Sequence, residues 1–166
     1  MKIIKSRKDN SKVKVHRTRE GLVFELITIF MLVILWAIAF LLYLNVPLEI
    51  PIHFDISGTP NAMGNRVQLL IMAGIGTIVS LLLLVSAYFP NKMVNMPFAI
   101  TNVRQYVPIV RMTRVLAVEL AMLFISVILL MGVSDKSPLL WIFYTTIMVL
   151  LIVTVIFYSG KAYQLK

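Results

Sequence analysis

The residues best suited to chemistry lie in one polar segment, residues 47–65, between two long apolar runs. Glu49, His53 and Asp55 are separated by even numbers of residues, so an extended chain would place them on one face. Imidazole and carboxylate groups can bind zinc, transfer protons or recognise a partner. One histidine and two carboxylates fall short of the four ligands of a structural zinc site. We therefore favour non-enzymatic partner recognition and predict no cofactor, with His53 and Asp55 as the metal-ligand candidates of an alternative, a metal-dependent hydrolase.

The first part of this segment alternates between apolar and polar residues, which predicts an extended chain. Ile50, Ile52 and Phe54 form the apolar edge, and we expect that edge to lie on the ends of the helices. Glycine, proline and asparagine residues predict turns over 57–64. The predicted partner-binding loop contains residues of the extended part and of the turns: Glu49, Pro51, His53, Phe54, Asp55, Gly58, Pro60, Asn61 and Gly64.

The composition indicates an integral membrane protein. Hydrophobic residues make up 60% of the 166 positions, charged residues 14%, and the mean hydropathy is +0.91. Four apolar stretches, at about 22–44, 67–89, 115–133 and 139–159, are each long enough to cross a hydrocarbon core of roughly 30 Å as a helix. They lack the strict alternation of barrel strands. We predict an all-α protein with four transmembrane helices in contact with the lipid bilayer, and a homo-oligomer is left open.

The distribution of lysine and arginine predicts the orientation. Of the 16 basic residues, eight lie in residues 1–21, four in the loop at 90–114, two in the tail at 160–166, and one in each of the other two loops. Cytoplasmic loops carry the excess of positive charge, so both termini are expected in the cytoplasm and the 47–65 loop outside. The basic residues form no nucleic-acid-binding motif, and we predict that the amino-terminal ones contact anionic lipid headgroups.

Two carboxylates fall inside predicted spans. Glu25 and Glu119 both lie near the cytoplasmic end, where a charge is easier to accommodate than at mid-bilayer. Pairing with Arg104, Arg111 or the basic tail is the favoured interpretation. The alternative is a small proton-coupled transporter that uses one of the two glutamates.

Further patterns predict how the helices pack. Small residues at three- and four-residue spacing, from Ala73 to Ser80, favour a central position for the second span. Apolar positions at helical spacing predict a short interfacial helix over about 100–110, before the third span. Ser137 and Pro138 are typical of a helix N-terminus, so the third and fourth spans should form an antiparallel hairpin.

A resemblance to a known family rests on these motifs. The polar loop resembles the signature of the bacterial membrane family catalogued as domain of unknown function 1648 (DUF1648), which includes the amino-terminal part of SdpI-type immunity proteins, through Pro51, His53, Phe54, Asp55, Gly58, Pro60, Asn61 and Gly64. A later stretch is similar to the family's cytoplasmic loop, through Asn95, Pro97, Ile100, Thr101, Gln105, Tyr106, Arg111 and Arg114. This chain has Asp55 and Asn61 where family members usually carry Asn and Asp.

The resemblance implies a multi-pass bacterial inner-membrane protein whose biochemical activity is unknown. It implies no enzymatic activity. Together with the polar loop, it leads us to expect a recognition, immunity or signalling role toward an envelope protein or a peptide toxin on the outer face.

Overall fold

The protein is mostly helical. The computed structural model describes residues 3–5, 13–55, 58–133 and 137–166. The strands pair as two short antiparallel hairpins, and a 3-10 turn at Val103–Gln105 precedes the third long helix. In chain order the elements are β1 (Ile3–Lys5), β2 (Val13–Val15), α1 (Arg19–Asn45), β3 (Glu49–Phe54), β4 (Pro60–Asn65), α2 (Gln68–Ser86), α3 (Pro90–Met93), α4 (Tyr106–Gly132) and α5 (Pro138–Gln164).

Four helices, α1, α2, α4 and α5, are long and apolar enough to cross a membrane, which indicates a membrane protein. The predicted separate helix over 100–110 is wrong, because the 3-10 turn leads directly into α4 at Tyr106. Pro108 is compatible with this start, since it lies in the first turn of the helix, where no intrahelical N–H donor is required.

The helix at the centre is α4, which contacts each of the other three long helices. The predicted central position of α2 is therefore wrong, and α2 packs mainly on α1 and α4. The small residues of α2 allow close packing against these two helices. A Cβ added at Gly76 would lie 2.6 Å from Cγ of Phe124 in α4. On the other side, Nε1 of Trp36 in α1 donates to Oγ1 of Thr77 at 3.0 Å.

The two hairpins amend the all-α prediction. The first half of the polar segment is extended as predicted, but β4 forms where turns were expected. Pairing with β3 satisfies the backbone of β4 in spite of its glycine and proline, so tertiary context overrides local propensity. The β1–β2 hairpin lies in the basic tail, of which residues 1–2 and 6–12 are outside the described part.

The link between α4 and α5 is described only in part, because residues 134–136 of the predicted tight turn lie outside the described residues. Ser137 occupies the N-cap position of α5 without a side-chain capping hydrogen bond, and Pro138 is the first helical residue. The two helices pack against each other, as the predicted helical hairpin requires.

The two ends of the helix bundle carry different elements. One end, which we call the hairpin end, carries the β3–β4 hairpin, the end of α1 and the start of α2. The opposite end, which we call the terminal end, carries the start of α1, the end of α2, the start of α4 and the end of α5.

Candidate functional site

The β3–β4 hairpin is irregular around His53. Its register shifts between Pro51 and His53 and again between His53 and Phe54. The residues left without a direct partner are Ile52 in β3 and Asn61 in β4. Bulges of this kind re-aim side chains and often occur beside binding sites. The irregularity is therefore a local device that sets the position of His53.

The imidazole of His53 is exposed and is held by the opposite strand. Its Nδ1 lies 2.5 Å from Oδ1 of Asn61. With Nδ1 as the donor to this oxygen, Nε2 of a neutral ring is an acceptor. A ring with this tautomer can accept a hydrogen bond from an N–H or O–H group of a ligand.

Asp55 closes the turn at the tip of the hairpin. Its Oδ1 accepts from the backbone N–H of Thr59 at 2.8 Å, and its own N–H donates to the Thr59 carbonyl at 2.9 Å. Its carbonyl also accepts from the N–H of Gly58 at 3.0 Å. Aspartate commonly stabilises turns in this way. The side chain of Asp55 therefore has a structural role that its position in sequence did not reveal.

The tip of the hairpin packs on the first turns of α5. Gly58 has a φ of +80°, and a Cβ at this position would lie 2.5 Å from Nε1 of Trp141. The ring of Phe54 meets the same indole edge-on at 5.7 Å between centroids, and Tyr144 meets it at 5.8 Å. Sequence reasoning missed Trp141 and Tyr144, because aromatic residues near a helix end also fit a membrane-interface belt.

The base of the hairpin packs on α1. The side chain of Ile50 is buried, as expected for the apolar edge, whereas that of Ile52 is 37% exposed. Nη1 of Arg66 donates to the carbonyl of Val46 at 3.1 Å, and its guanidinium lies 4.9 Å from the ring centroid of Tyr43. The hairpin is thus attached to α1 at its base and to α5 at its tip.

An open cleft of about 320 Å³ lies between this hairpin and the adjoining helices. Residues 52–55 form its hairpin wall, and the facing wall consists of Val127, Leu130, Met131, Trp141 and Tyr144. Binding pockets for small ligands and single side chains have this character, with mostly apolar walls and a few polar groups that set orientation. Here the polar groups of the hairpin wall are those of His53 and Asp55.

The structure divides the nine predicted loop residues into two groups. His53, Phe54 and Asp55 line the cleft. The others lie outside its lining: Glu49, Pro51, Gly58, Pro60, Asn61 and Gly64. In the described ranges, no group of three or more His, Cys, Asp or Glu side chains is placed to hold a metal ion. His53 and Asp55 therefore have no third ligand among these residues.

Glu25 belongs to a cluster of paired groups at the terminal end. Nη2 of Arg17 donates to its Oε2 at 2.6 Å, and the hydroxyl of Tyr88 donates to its Oε1. Burial, followed by the hydrogen bond to Glu25, raises the pKa of the Tyr88 phenol, so this group remains a donor at neutral pH. Pairing of Glu25 with a cation of the amino-terminal segment is confirmed.

The same cluster contains a buried arginine. The side chain of Arg114 is 1% exposed, and its guanidinium lies 5.8 Å from the ring centroid of Tyr88. A Cβ at Gly21 would lie 2.6 Å from Nη2 of Arg114, so the close approach of α4 to α1 requires a small residue at this position. Among the described residues, Nη1 and Nη2 have no hydrogen-bond partner.

Glu119 has a different environment. Its Oε1 accepts from the hydroxyl of Thr154 in α5 at 2.7 Å, and its Oε2 is buried with no hydrogen-bond partner in the described part of the chain. Among the described residues no cation pairs with Glu119, so the predicted pairing is wrong there. Arg111, one of the predicted partners, binds Glu20 instead, at 2.7 and 3.1 Å. Glu119 therefore joins α4 to α5 through a neutral donor.

The hairpin and its cleft coincide with a region of family similarity. Residues 30–77 match the family described as Domain of unknown function (DUF1648). The matched part contains most of α1, the whole β3–β4 hairpin and the first half of α2, and it supports the resemblance drawn from the loop motif. No curated protein and no solved structure matches the chain. The likeness to SdpI-type immunity proteins stays a prediction.

Proposed function

We propose that this membrane protein recognises an envelope protein or peptide at its hairpin end, and that this end faces outward with both termini in the cytoplasm. The orientation is supported by the excess of lysine and arginine at the terminal end. A bacterial cell membrane is the location that the family resemblance favours. No enzymatic step is included in the proposal.

One observation carries the proposal: the cleft of about 320 Å³ beside His53. An elaborate hairpin is unnecessary if the loop only connects two helices. Here two register shifts and the contact with Asn61 hold the imidazole at the wall of an aromatic cleft. Such a site combines apolar area with directional polar groups, which is how proteins select a ligand.

The chemistry of the cleft defines the expected partner. Apolar and aromatic walls favour an apolar side chain, while Nε2 of a neutral His53 ring accepts a hydrogen bond from an N–H or O–H donor. We therefore expect a peptide segment in which a large apolar residue adjoins a donor or basic residue. The resemblance to immunity proteins favours a peptide toxin as one such partner.

The test is quantitative crosslinking and co-purification from native membranes of the source organism. His53→Ala and Tyr144→Ala change opposite walls of the cleft, whereas Met63→Ala removes an exposed side chain of β4 outside it. We expect one partner to be lost from both cleft variants and retained by the Met63 variant at equal abundance and thermal stability. Recovery of the same partners from all three variants would refute recognition through the cleft.

A second candidate function rests on Glu119. A half-buried carboxylate with a hydroxyl partner and, among the described residues, no cation is suited to binding and releasing a proton within a membrane. Glu25 is less suited, because Arg17 and Tyr88 already occupy its oxygens. If the protein is a proton-coupled transporter, Glu119→Gln abolishes proton flux in liposomes and Glu25→Gln retains it. Equal flux in wild type and Glu119→Gln would exclude this function.

A further inference from the structure

A second cleft lies at the terminal end, away from the proposed recognition site. It has a volume of about 510 Å³, is open to the surface, and is lined by β2, the end of α2 and α3. Its apolar walls are formed by Val13, Val15, Val85 and Phe89, with the ring of Tyr88 between them. We propose that this cleft binds one anionic phospholipid, with the phosphate at Lys92 and an acyl chain along α2.

The path for the acyl chain is visible on α2. Exposed apolar side chains recur at three- and four-residue spacing along one face and continue into the cleft: Ile71, Ile75, Ile78, Leu82, Val85 and Phe89. From Ile75 to Val85 this face extends roughly 15 Å, at about 1.5 Å per residue, which is about half of a hydrocarbon core of ~30 Å. One acyl chain of a single leaflet fits this length.

The charge of the cleft selects the headgroup. Among the described residues, Lys92 and His16 contribute to its lining and no acidic residue does. Lys92 is exposed and lies in the last turn of α3, so its ammonium group can reach a phosphate at the membrane surface. Glu25, which accepts from the hydroxyl of the lining residue Tyr88, is already paired with Arg17. A lysine at the membrane surface attracts anionic lipid headgroups, and here it adjoins an apolar cleft.

This assignment differs from a diffuse attraction between the basic tail and the bilayer. A diffuse attraction depends on the total charge of the chain, which is +9, and changes little with the position of one lysine. A built site depends on Lys92 in particular, retains about one lipid per chain, and requires both the phosphate and the acyl chain.

Lipid retention by the full-length protein distinguishes these cases. The protein is purified from mixed phosphatidylglycerol and phosphatidylcholine vesicles into mild detergent, and bound lipid is counted by native mass spectrometry. The variants are Lys92→Ala and, as a matched control, Arg104→Ala, which removes an exposed cation of the terminal end outside the cleft. Soluble glycerol phosphate is added as a competitor without acyl chains.

We expect wild type to retain one phosphatidylglycerol in preference to phosphatidylcholine. Lys92→Ala should weaken retention about fivefold, the factor that corresponds to about 1 kcal/mol per cation at an anionic surface, and Arg104→Ala should leave it unchanged. Equal losses of lipid retention in the two variants would mean that the total charge of the chain, and not a built site, attracts the lipid. Equal retention of phosphatidylcholine would show that the headgroup charge does not select the lipid. Displacement by glycerol phosphate alone would show that the cleft binds a soluble phosphate and not a lipid.

Discussion

At the hairpin end, the polar side chains beside the cleft bond within a single hairpin, whereas at the terminal end several polar side chains join elements that are distant in sequence. His53 contacts Asn61, and Asp55 contacts Thr59, all within β3, β4 and their turn. At the terminal end, Glu20 in α1 binds Arg111 in α4. The open cleft lies beside this locally bonded hairpin.

Buried Gln105 is the clearest case of such a link at the terminal end. Its Oε1 accepts from the backbone N–H groups of Thr101 and Asn102 at 2.7 and 2.9 Å, and its Nε2 donates to the carbonyl of Ala162 at 3.1 Å. One neutral side chain thus attaches the segment before α4 to the end of α5. Substitutions at this end should therefore affect the whole fold, while those in the hairpin should act locally.

The largest expected effect is that of Gln105→Leu. This change leaves the buried carbonyl of Ala162 and the part-buried N–H groups of Thr101 and Asn102 without their partner. An unsatisfied buried group costs about 1 to 3 kcal/mol and a part-buried one less, so we expect a loss of roughly 3 kcal/mol of stability. Thermal unfolding of the purified protein in detergent measures it. The control is Gln164→Leu, the same exchange at an exposed site on α5, which should have little effect. Similar midpoints for the two variants would contradict the comparison.

The second prediction concerns the hairpin. In Gly58→Ala, the methyl group meets the indole of Trp141, and φ of +80° is strained for alanine, so we expect a local cost of about 2 kcal/mol. Protease cleavage within residues 47–65 should become faster, while the helix content and the global unfolding temperature stay close to wild type. Gly160→Ala is the control, because no heavy atom lies within 4 Å of its added Cβ.

A large fall in the global unfolding temperature of Gly58→Ala would show that the hairpin contributes to the stability of the whole fold. Unchanged proteolysis would show that the contact between Gly58 and Trp141 does not hold the hairpin tip on α5. Either result would contradict the expectation that substitutions in the hairpin act locally while those at the terminal end affect the whole fold.

The sequence predicts what depends on neighbouring residues in the chain. Long apolar runs predict four helices, since a membrane requires a fixed length of apolar helix, and alternating residues predict the extended start of the polar loop. The strand Pro60–Asn65 could not be predicted, because its glycine, proline and asparagine are typical of turns and only pairing with β3 makes them a strand.

The candidate cleft could be predicted only on its hairpin side. Residue type and spacing indicate His53 and Asp55 as candidate binding residues. Trp141 and Tyr144 complete the cleft from α5, and no local pattern links a residue of α5 to a loop after α1. For the same reason, the partner of Glu119 was predicted as a cation, although the helix packing supplies the hydroxyl of Thr154.

The smallest contribution to stability is expected from the ion pair between Glu20 and Arg111. Both side chains are partly exposed, at 33% and 46%, so solvent screens the charges and we expect a coupling of only about 0.5 kcal/mol. A double-mutant cycle with Glu20→Gln and Arg111→Gln measures it, and the coupling should shrink further as the salt concentration rises. A salt-independent coupling of several kcal/mol would mean that the ion pair stabilises the terminal end. The expected weak coupling, set beside the large effect of Gln105→Leu, would instead assign that role to buried neutral hydrogen bonds.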